Sequence, residues 1–536
     1  MPAITALSDK KILIIDDLPG MRSQLRASLS TLGFERLNLA SNIREAMVRL
    51  SELPYDIILC DYYLGDATSG QQFLEYVRTK GLISPSAIFI MITAERTYET
   101  VMRAAEWTPD DYLVKPFTAA HLEARLTKLI EKRERFAGVY AAIEKENLRQ
   151  AVAACGGIIE SKDKFFIDAM KLKGQLLLRN GDYSEAQALY RDVLDLRPVG
   201  WAQLGLARAL KAQNAVSEAQ TMLESLIAEN RHMMGAYDTL AEVLSVTDRE
   251  EQALSVLKSA MEVSPGTLSR TRTLGKLAIA TGEMEVAEKT VRQLLTQHKH
   301  SPVKEAGDYL MAANVLSTTG RPDEALSLVK EAKAAFANTA DVHTLAVAEA
   351  TAHLALGSTE AAAAALKKVQ DASPNSMDPE TAAALGKALY TVGDHEGGQK
   401  VLRHLVQNNP DDAKILQAVR ATLSAVGKEH EAEALVDSSI QEIIKENNEG
   451  VKLAYAGQLD EAIGKLVSAA ERLPGNLQIV SNAALVLALS IGKAATSKER
   501  LQNCLKYRKM VVARDPRHPK LAQIDALLIQ TKGAQP

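Results

Sequence analysis

From about residue 136 onward the chain repeats itself at a spacing that few folds can satisfy. Small residues recur at Ala151, Ala186, Ala219, Ala253, Ala287, Ala325, Ala362, Gly398, Ala432 and Ala462, at intervals of 35, 33, 34, 34, 38, 37, 36, 34 and 30 residues. Five residues before nearly every one stands a helix breaker: Gly181, Asn214, Asp248, Gly282, Gly320, Gly357, Gly393, Gly427 and Gly457. Twelve before, a second small residue usually appears: Gly174, Ala207, Ala241, Gly275, Ala313, Ala350, Gly386 and Gly450. Prolines follow by twelve at Pro198, Pro265, Pro374, Pro410 and Pro474. Two antiparallel helices approach closely only where small side chains meet, and the residue between them must turn the chain. Proline then ends the second helix before the next unit begins. The pattern predicts an all-α solenoid.

This pattern resembles the tetratricopeptide repeat, whose period is 34 residues, over roughly residues 137–475. It gives about ten units, the first of them degenerate. The repeat region is read as 134–475 and the tail, 476–536, as a helical cap, because terminal units of a solenoid need a polar outer face. In the tail, Leu477 to Ile491 reads as another first helix, and Gly492 to Lys498 leads into a charged helix, Glu499 to Ala513. Pro516 and Pro519 flank a last helix to about Ile529. The basic stretch Lys506–Lys509 reads as a solvated face of that cap.

The first 130 residues obey a different period. Short apolar runs at Lys11–Ile15, Glu35–Ala40, Ile57–Cys60, Ala87–Ile92 and Asp111–Val114 alternate with segments of helical spacing. The expected helices run from Asp17 to Leu32, closed by Gly33, from Asn42 to Leu53, from Ser69 to Gly81, from Thr97 to Glu106 and from Ala119 to Arg133. That alternation predicts a doubly wound α/β domain, a parallel five-stranded sheet with helices on both faces. The strands end in chemistry: Asp16 and Asp17 after the first, Asp61 after the third, Thr93 after the fourth and Lys115 after the fifth. Carboxylates at the carboxyl ends of parallel strands face the crevice where such sheets place their ligands.

In order and strand context these positions resemble the receiver domain of bacterial response regulators, a flavodoxin-like fold, over roughly residues 8–133. The resemblance implies that Asp61 is the phosphoacceptor and that Asp16, Asp17, Asp61 and the backbone carbonyl of Tyr63 hold Mg²⁺. It makes Thr93 and Lys115 the groups that meet the phosphoryl oxygens, and Tyr112 an aromatic switch. The chemistry suits these residue types, since close carboxylates repel unless a divalent cation neutralises them. The loop after Asp61 departs from the family, lacking its Met-Pro pair and running one residue longer to Gly70. Tyr63 and Glu95 are expected to set how fast an acyl phosphate there hydrolyses.

Net charge and cysteine use narrow the rest. A formal charge of −4 offers no global footprint for nucleic acid, and no DNA-binding segment survives the repeat register. Three cysteines far apart, Cys60, Cys155 and Cys504, fit a reducing compartment. No run of eighteen apolar residues spans a membrane, and the first ten residues lack the order of a signal peptide; a cytoplasmic protein is expected. No catalytic motif is found in the repeats, so an enzyme is not expected. The charged run Glu131–Arg135 reads as a continuous helical connector.

What remains is a surface for proteins. In the repeat family the first helix of each unit lines the concave groove, which here implies Lys171, Trp201, Arg208, Lys211, Arg272, Lys276, Asn314 and Tyr390. Five are basic, so the groove is either a site for an acidic segment of a partner or an ordinary solvated face. Two functions stay open. One is an adaptor whose protein binding is controlled when a histidine kinase or phosphotransfer protein phosphorylates Asp61. The other is a phosphate sink or kinase-control protein that the repeats only anchor.

Overall fold

A computed structural model of the chain describes residues 7–65, 69–94, 109–264, 268–298, 305–336, 339, 341–369, 375, 377–491 and 498–532. The chain divides into two compact units, Met1–Lys304 and Glu305–Pro536.

The first unit opens with the parallel sheet. Strands β1 (Lys11–Ile15), β2 (Arg36–Ala40), β3 (Ile57–Asp61), β4 (Ile88–Thr93) and β5 (Asp111–Val114) lie in the order β2-β1-β3-β4-β5. Helices α1 (Pro19–Thr31), α2 (Ile43–Glu52), α3 (Gly70–Thr79) and α4 (Ala119–Arg135) follow β1, β2, β3 and β5. Alternation within the strands sends Ile12, Ile14, Ile57, Leu59 and Ile90 to a core shared with α1 and α4. The opposite face, Leu13, Ile15, Ile58, Phe89 and Met91, packs under α2 and α3. Caps fix the starts: Asn42 accepts from the N–H of Glu45, Thr118 from that of His121, and Ser69 forms a reciprocal capping box with Gln72. The expected helix Thr97–Glu106, and Glu95 with it, lie outside the described residues.

The connector is helical through Glu131–Arg135, as expected, but not continuous. α4 stops at Arg135, Phe136 alone leaves helical geometry, and α5 (Ala137–Glu144) begins at once. Phe136 is 1% exposed and packs its ring against Tyr140 and Phe165. Burying that ring turns the chain where no glycine or proline does.

After α5 and its partner α6 (Leu148–Glu160), four further helical pairs complete the first unit, ending with Leu268–Ala280 and Met284–His298. The second unit continues the pattern from Ala306–Thr318. All nine breaker positions take φ between +55° and +90°, including the non-glycines Asn214 and Asp248. Glu146, at the same position of the degenerate first unit, sits at φ 55° too. The small residues are buried: Ala151, Ala186, Ala219, Ala253, Ala287, Ala325, Ala362 and Ala462 are all 0% exposed. The ring of Tyr190 needs two of the glycines, since an added Cβ would lie 2.6 Å from it at Gly174 and 2.2 Å from it at Gly205.

One stretch breaks the two-helix rule. Ala432 and Gly450 stand on a single helix, Glu429–Tyr455, where separate second and first helices were expected. The interval from Ala432 to Ala462 is four residues short of the period, and no glycine or proline occurs between Gly427 and Gly450. Deleting the connecting loop without a breaker fuses the neighbours. Beyond it, Leu477–Ile491 packs with Leu459–Arg472, Lys498–Arg514 and Pro519–Lys532 in one apolar cluster. The stretch Lys506–Lys509 straddles that cluster: Tyr507 is 1% exposed and Arg508 pairs with Asp525, while Lys506 and Lys509 face solvent. Among the described residues no helix is long and apolar enough to cross a membrane.

Candidate functional site

The sheet register builds the site. Ile15 pairs with Cys60, so the next residues of the two strands, Asp16 and Asp61, emerge side by side. Lys115, just past β5, donates from Nζ to Asp16 Oδ2 and to Asp61 Oδ2, each at 2.9 Å. Its peptide N–H donates to the carbonyl of Thr93 at 2.7 Å, which ties the ends of β5 and β4 together. Asp17 joins the other acids, and each of the three can offer an oxygen within 4.8 Å of the others.

Backbone contacts hold this cluster open. Arg22 donates from one Nη to the carbonyls of Asp16 at 2.6 Å and Asp17 at 2.9 Å. On the far side the chain leaves Asp61 and returns at Gly70, whose N–H donates to the carbonyl of Tyr62 at 2.9 Å. Only glycine fits there, because a Cβ at Gly70 would stand 2.2 Å from the Asp61 carbonyl oxygen.

Charge and burial oppose each other. Asp16 is 0% and Asp61 6% exposed. Burial raises the Asp61 carboxyl above the ordinary aspartate range against the pull of Lys115, and the neighbouring Asp16 adds to the rise. Burial works against the charge of Lys115, but its bonds to Asp61 and Asp16 outweigh it and hold the ammonium above the ordinary lysine range. Three carboxylates against one ammonium leave net negative charge among hard oxygen donors. That donor set fits a divalent cation of the Mg²⁺ kind.

The other expected receiver residues surround this point. Thr93 closes β4 and is 4% exposed. Tyr112 packs its ring among the β3–β4 core side chains, and its buried hydroxyl has no hydrogen-bond partner among the described residues. Burial, with Tyr62 nearby, pushes that phenol well above its usual range. Tyr63 stands at the mouth, 53% exposed, its ring edge-on to Tyr62 at 4.8 Å.

The groove residues fare less uniformly. Lys211 pairs with Glu242, and Arg208 donates from Nε to Thr239 Oγ1 at 3.2 Å. Lys171 is half-buried near Lys132 and Asp168, and its burial lowers its basicity. Trp201 sets its edge against Tyr190 at 6.3 Å, and Arg272 lies near Glu75 of α3. Lys276 is exposed and Asn314 half-buried. Tyr390 does not line a groove: it is 5% exposed in a core with Leu402 and Val406. Glycine at 398, where other units carry alanine, makes the room, since a Cβ there would lie 2.5 Å from that ring.

Sequence reasoning missed the polar latch between sheet and repeats. Arg133 of α4 donates to Asp110 and to the hydroxyl of Tyr140 on α5, and Arg78 of α3 reaches Asp110 at 3.4 Å. Glu144, at the end of α5, accepts from Ser84 Oγ at 2.5 Å. These residues carry no periodic signal, though the density of arginine around α4 marked the region.

The response regulator receiver domain family matches residues 12–127. The chain is 33% identical over 122 residues to chemotaxis protein CheY-3 of Vibrio cholerae serotype O1, covering 92% of that protein and 23% of this chain. The chain belongs to the response regulator family. The probable chemotaxis protein CheY of Rhizobium etli is 32% identical over 116 residues, 88% of its length and 22% of this response regulator. Further along, a tetratricopeptide repeat family matches residues 177–242 and the ARM repeat of tetratricopeptide repeat protein 21 matches 237–385. A solved tetratricopeptide repeat protein from Parabacteroides merdae aligns with 48% of this chain and 98% of its own at 16% identity, with a TM-score of only 0.32.

Proposed function

We propose that this response regulator accepts a phosphoryl group on Asp61 and that the state of Asp61 controls protein binding by the repeats. The observation that carries the reading is the bridge from Lys115 to both Asp16 and Asp61 beside a third carboxylate. Asp16, Asp17, Asp61 and the carbonyl of Tyr63 would hold Mg²⁺, which when bound offsets charge on the phosphoryl group. An oxygen of Asp61 bonds to phosphorus as the donor's bond to it breaks, leaving an acyl phosphate on Asp61 and the freed donor. A histidine kinase or phosphotransfer protein is the donor the family implies. Lys115 then trades one carboxylate oxygen for a phosphoryl oxygen, and the Thr93 hydroxyl pairs with another. The receiver match followed by tetratricopeptide matches favours a regulator that works as a cytoplasmic adaptor.

The latch of Arg133, Asp110 and Tyr140 favours a switch over a sink that is merely tethered, because it joins the sheet to the first repeat without a flexible spacer. Incubation with acetyl phosphate and Mg²⁺ should add one base-labile phosphate. Labelling that survives Asp61→Asn, or that ignores a chelator, would overturn the assignment.

A further inference from the structure

Helix α3 turns Phe73, Leu74 and Val77 into the core, so its other face should be wet. It is not. Glu75 is only 7% exposed, and its carboxylate lies against the backbone N–H groups of Leu268 and Ser269, which favour its charged form. These open the helix Leu268–Ala280 of the fifth helical pair. Tyr76 packs beside it on Leu268 and Leu294, both 0% exposed. Arg272, on the same helix, adds positive charge near the carboxylate, as does Arg270. Arg270 is already committed: it is 3% exposed and grips Asp238 through Nε at 2.8 Å and Nη2 at 2.9 Å.

A helix start with free N–H groups and a nearby guanidinium is a carboxylate site by its physics. Here it is filled by a buried carboxylate from the same chain, with an aromatic side chain seated next to it. Arg272 is also one of the residues expected to line the partner groove.

We propose that the receiver is a ligand of its own repeats: Glu75 and Tyr76 occupy in cis the carboxylate site at the start of helix Leu268–Ala280, and an acidic segment of a partner protein competes for it. The inference rests on the reading that the repeats bind a protein. The clasp is joined to the phosphoacceptor through backbone alone, since α3 starts at Gly70, whose N–H is bonded to the carbonyl of Tyr62 next to Asp61.

The full chain tests this without any phosphoryl donor, so the result stands apart from whether Asp61 is phosphorylated. Wild type, Glu75→Lys and Glu75→Gln are compared by amide exchange over residues 268–280 and by binding of a fluorescent octaglutamate peptide. Glu75→Gln keeps the side chain's shape and covers a lysine variant that fails to fold. Both variants should exchange faster at 268–280 and bind the peptide more tightly. For Glu75→Lys the gain should be about tenfold, the factor by which a closed state populated about nine times in ten masks a site. Bound peptide should slow the exchange again. Unchanged exchange in both variants would overturn the clasp. Faster exchange with no gain in peptide affinity would overturn the competition.

Discussion

In the receiver, four of the five parallel strands carry three carboxylates, a hydroxyl and an ammonium at their carboxyl ends, and most of the chemistry lies within a few ångströms of Lys115 Nζ. In the repeats no cluster of metal-ligating side chains forms among the described residues. Their stability is spread over ten buried small residues and a row of left-handed turns, each pair leaning on its neighbours. The two regions therefore respond to substitution in opposite ways. A receiver residue can change what the protein does while the core stays as it is. A repeat residue changes how firmly the array is packed, and function only through that packing or through a specific docked side chain.

The sharpest break of this contrast comes at Lys115. Replacing it by alanine leaves Asp16 and Asp61 without their shared partner, and removing one member of a buried charge cluster is destabilising by about 3 kcal/mol. Thermal melts of Lys115→Ala in chelator should fall well below wild type, and added Mg²⁺ should restore more stability to the variant than to wild type. Equal responses to Mg²⁺ would mean that the carboxylates do not share a cation.

In the repeats one kind of substitution should change sign with position. A Cβ at Gly205 would stand 2.2 Å from the Tyr190 ring, and such overpacking destabilises by about 1–3 kcal/mol. Gly464, inside the helix Leu459–Arg472, has nothing within 4 Å of an added Cβ. There Gly464→Ala should stabilise by about 0.5–1 kcal/mol through helix propensity alone. Denaturant midpoints of the two variants check the pair; the same sign in both would show that packing around Tyr190 is looser than the geometry implies.

The same contrast explains what could be read from the residues alone. Strand-end positions declare themselves because a polar residue ending an apolar run is conspicuous, and Asp16, Asp61, Thr93 and Lys115 fell where expected. The breakers declared themselves because φ beyond +50° selects glycine, asparagine and aspartate over nearly everything else. Glu429–Tyr455 was missed because fusion is signalled only by a missing loop. Tyr390 was misplaced because a family position says which way a side chain starts, and Gly398 decides where the ring ends. Glu75 gave no signal and Arg133 only the density of charge around it: the partners of Glu75 lie on the helix Leu268–Ala280 and those of Arg133 include Asp110, and nothing local distinguishes a docked acid or arginine from a solvated one.

The central claim is that the state of Asp61 reaches the first repeat through α4 and its latch. Beryllofluoride with Mg²⁺ mimics the phosphoryl group, and amide exchange can be followed in wild type and Arg133→Ala. In wild type the mimic should alter exchange in residues 111–135 and, by about twofold or more, in α5 and α6, since locally opening units report such shifts directly. In Arg133→Ala the change should persist in the sheet and vanish from residues 137–160. A wild-type response confined to residues 7–135 would contradict the account and leave the receiver and the repeats as independent bodies on one chain.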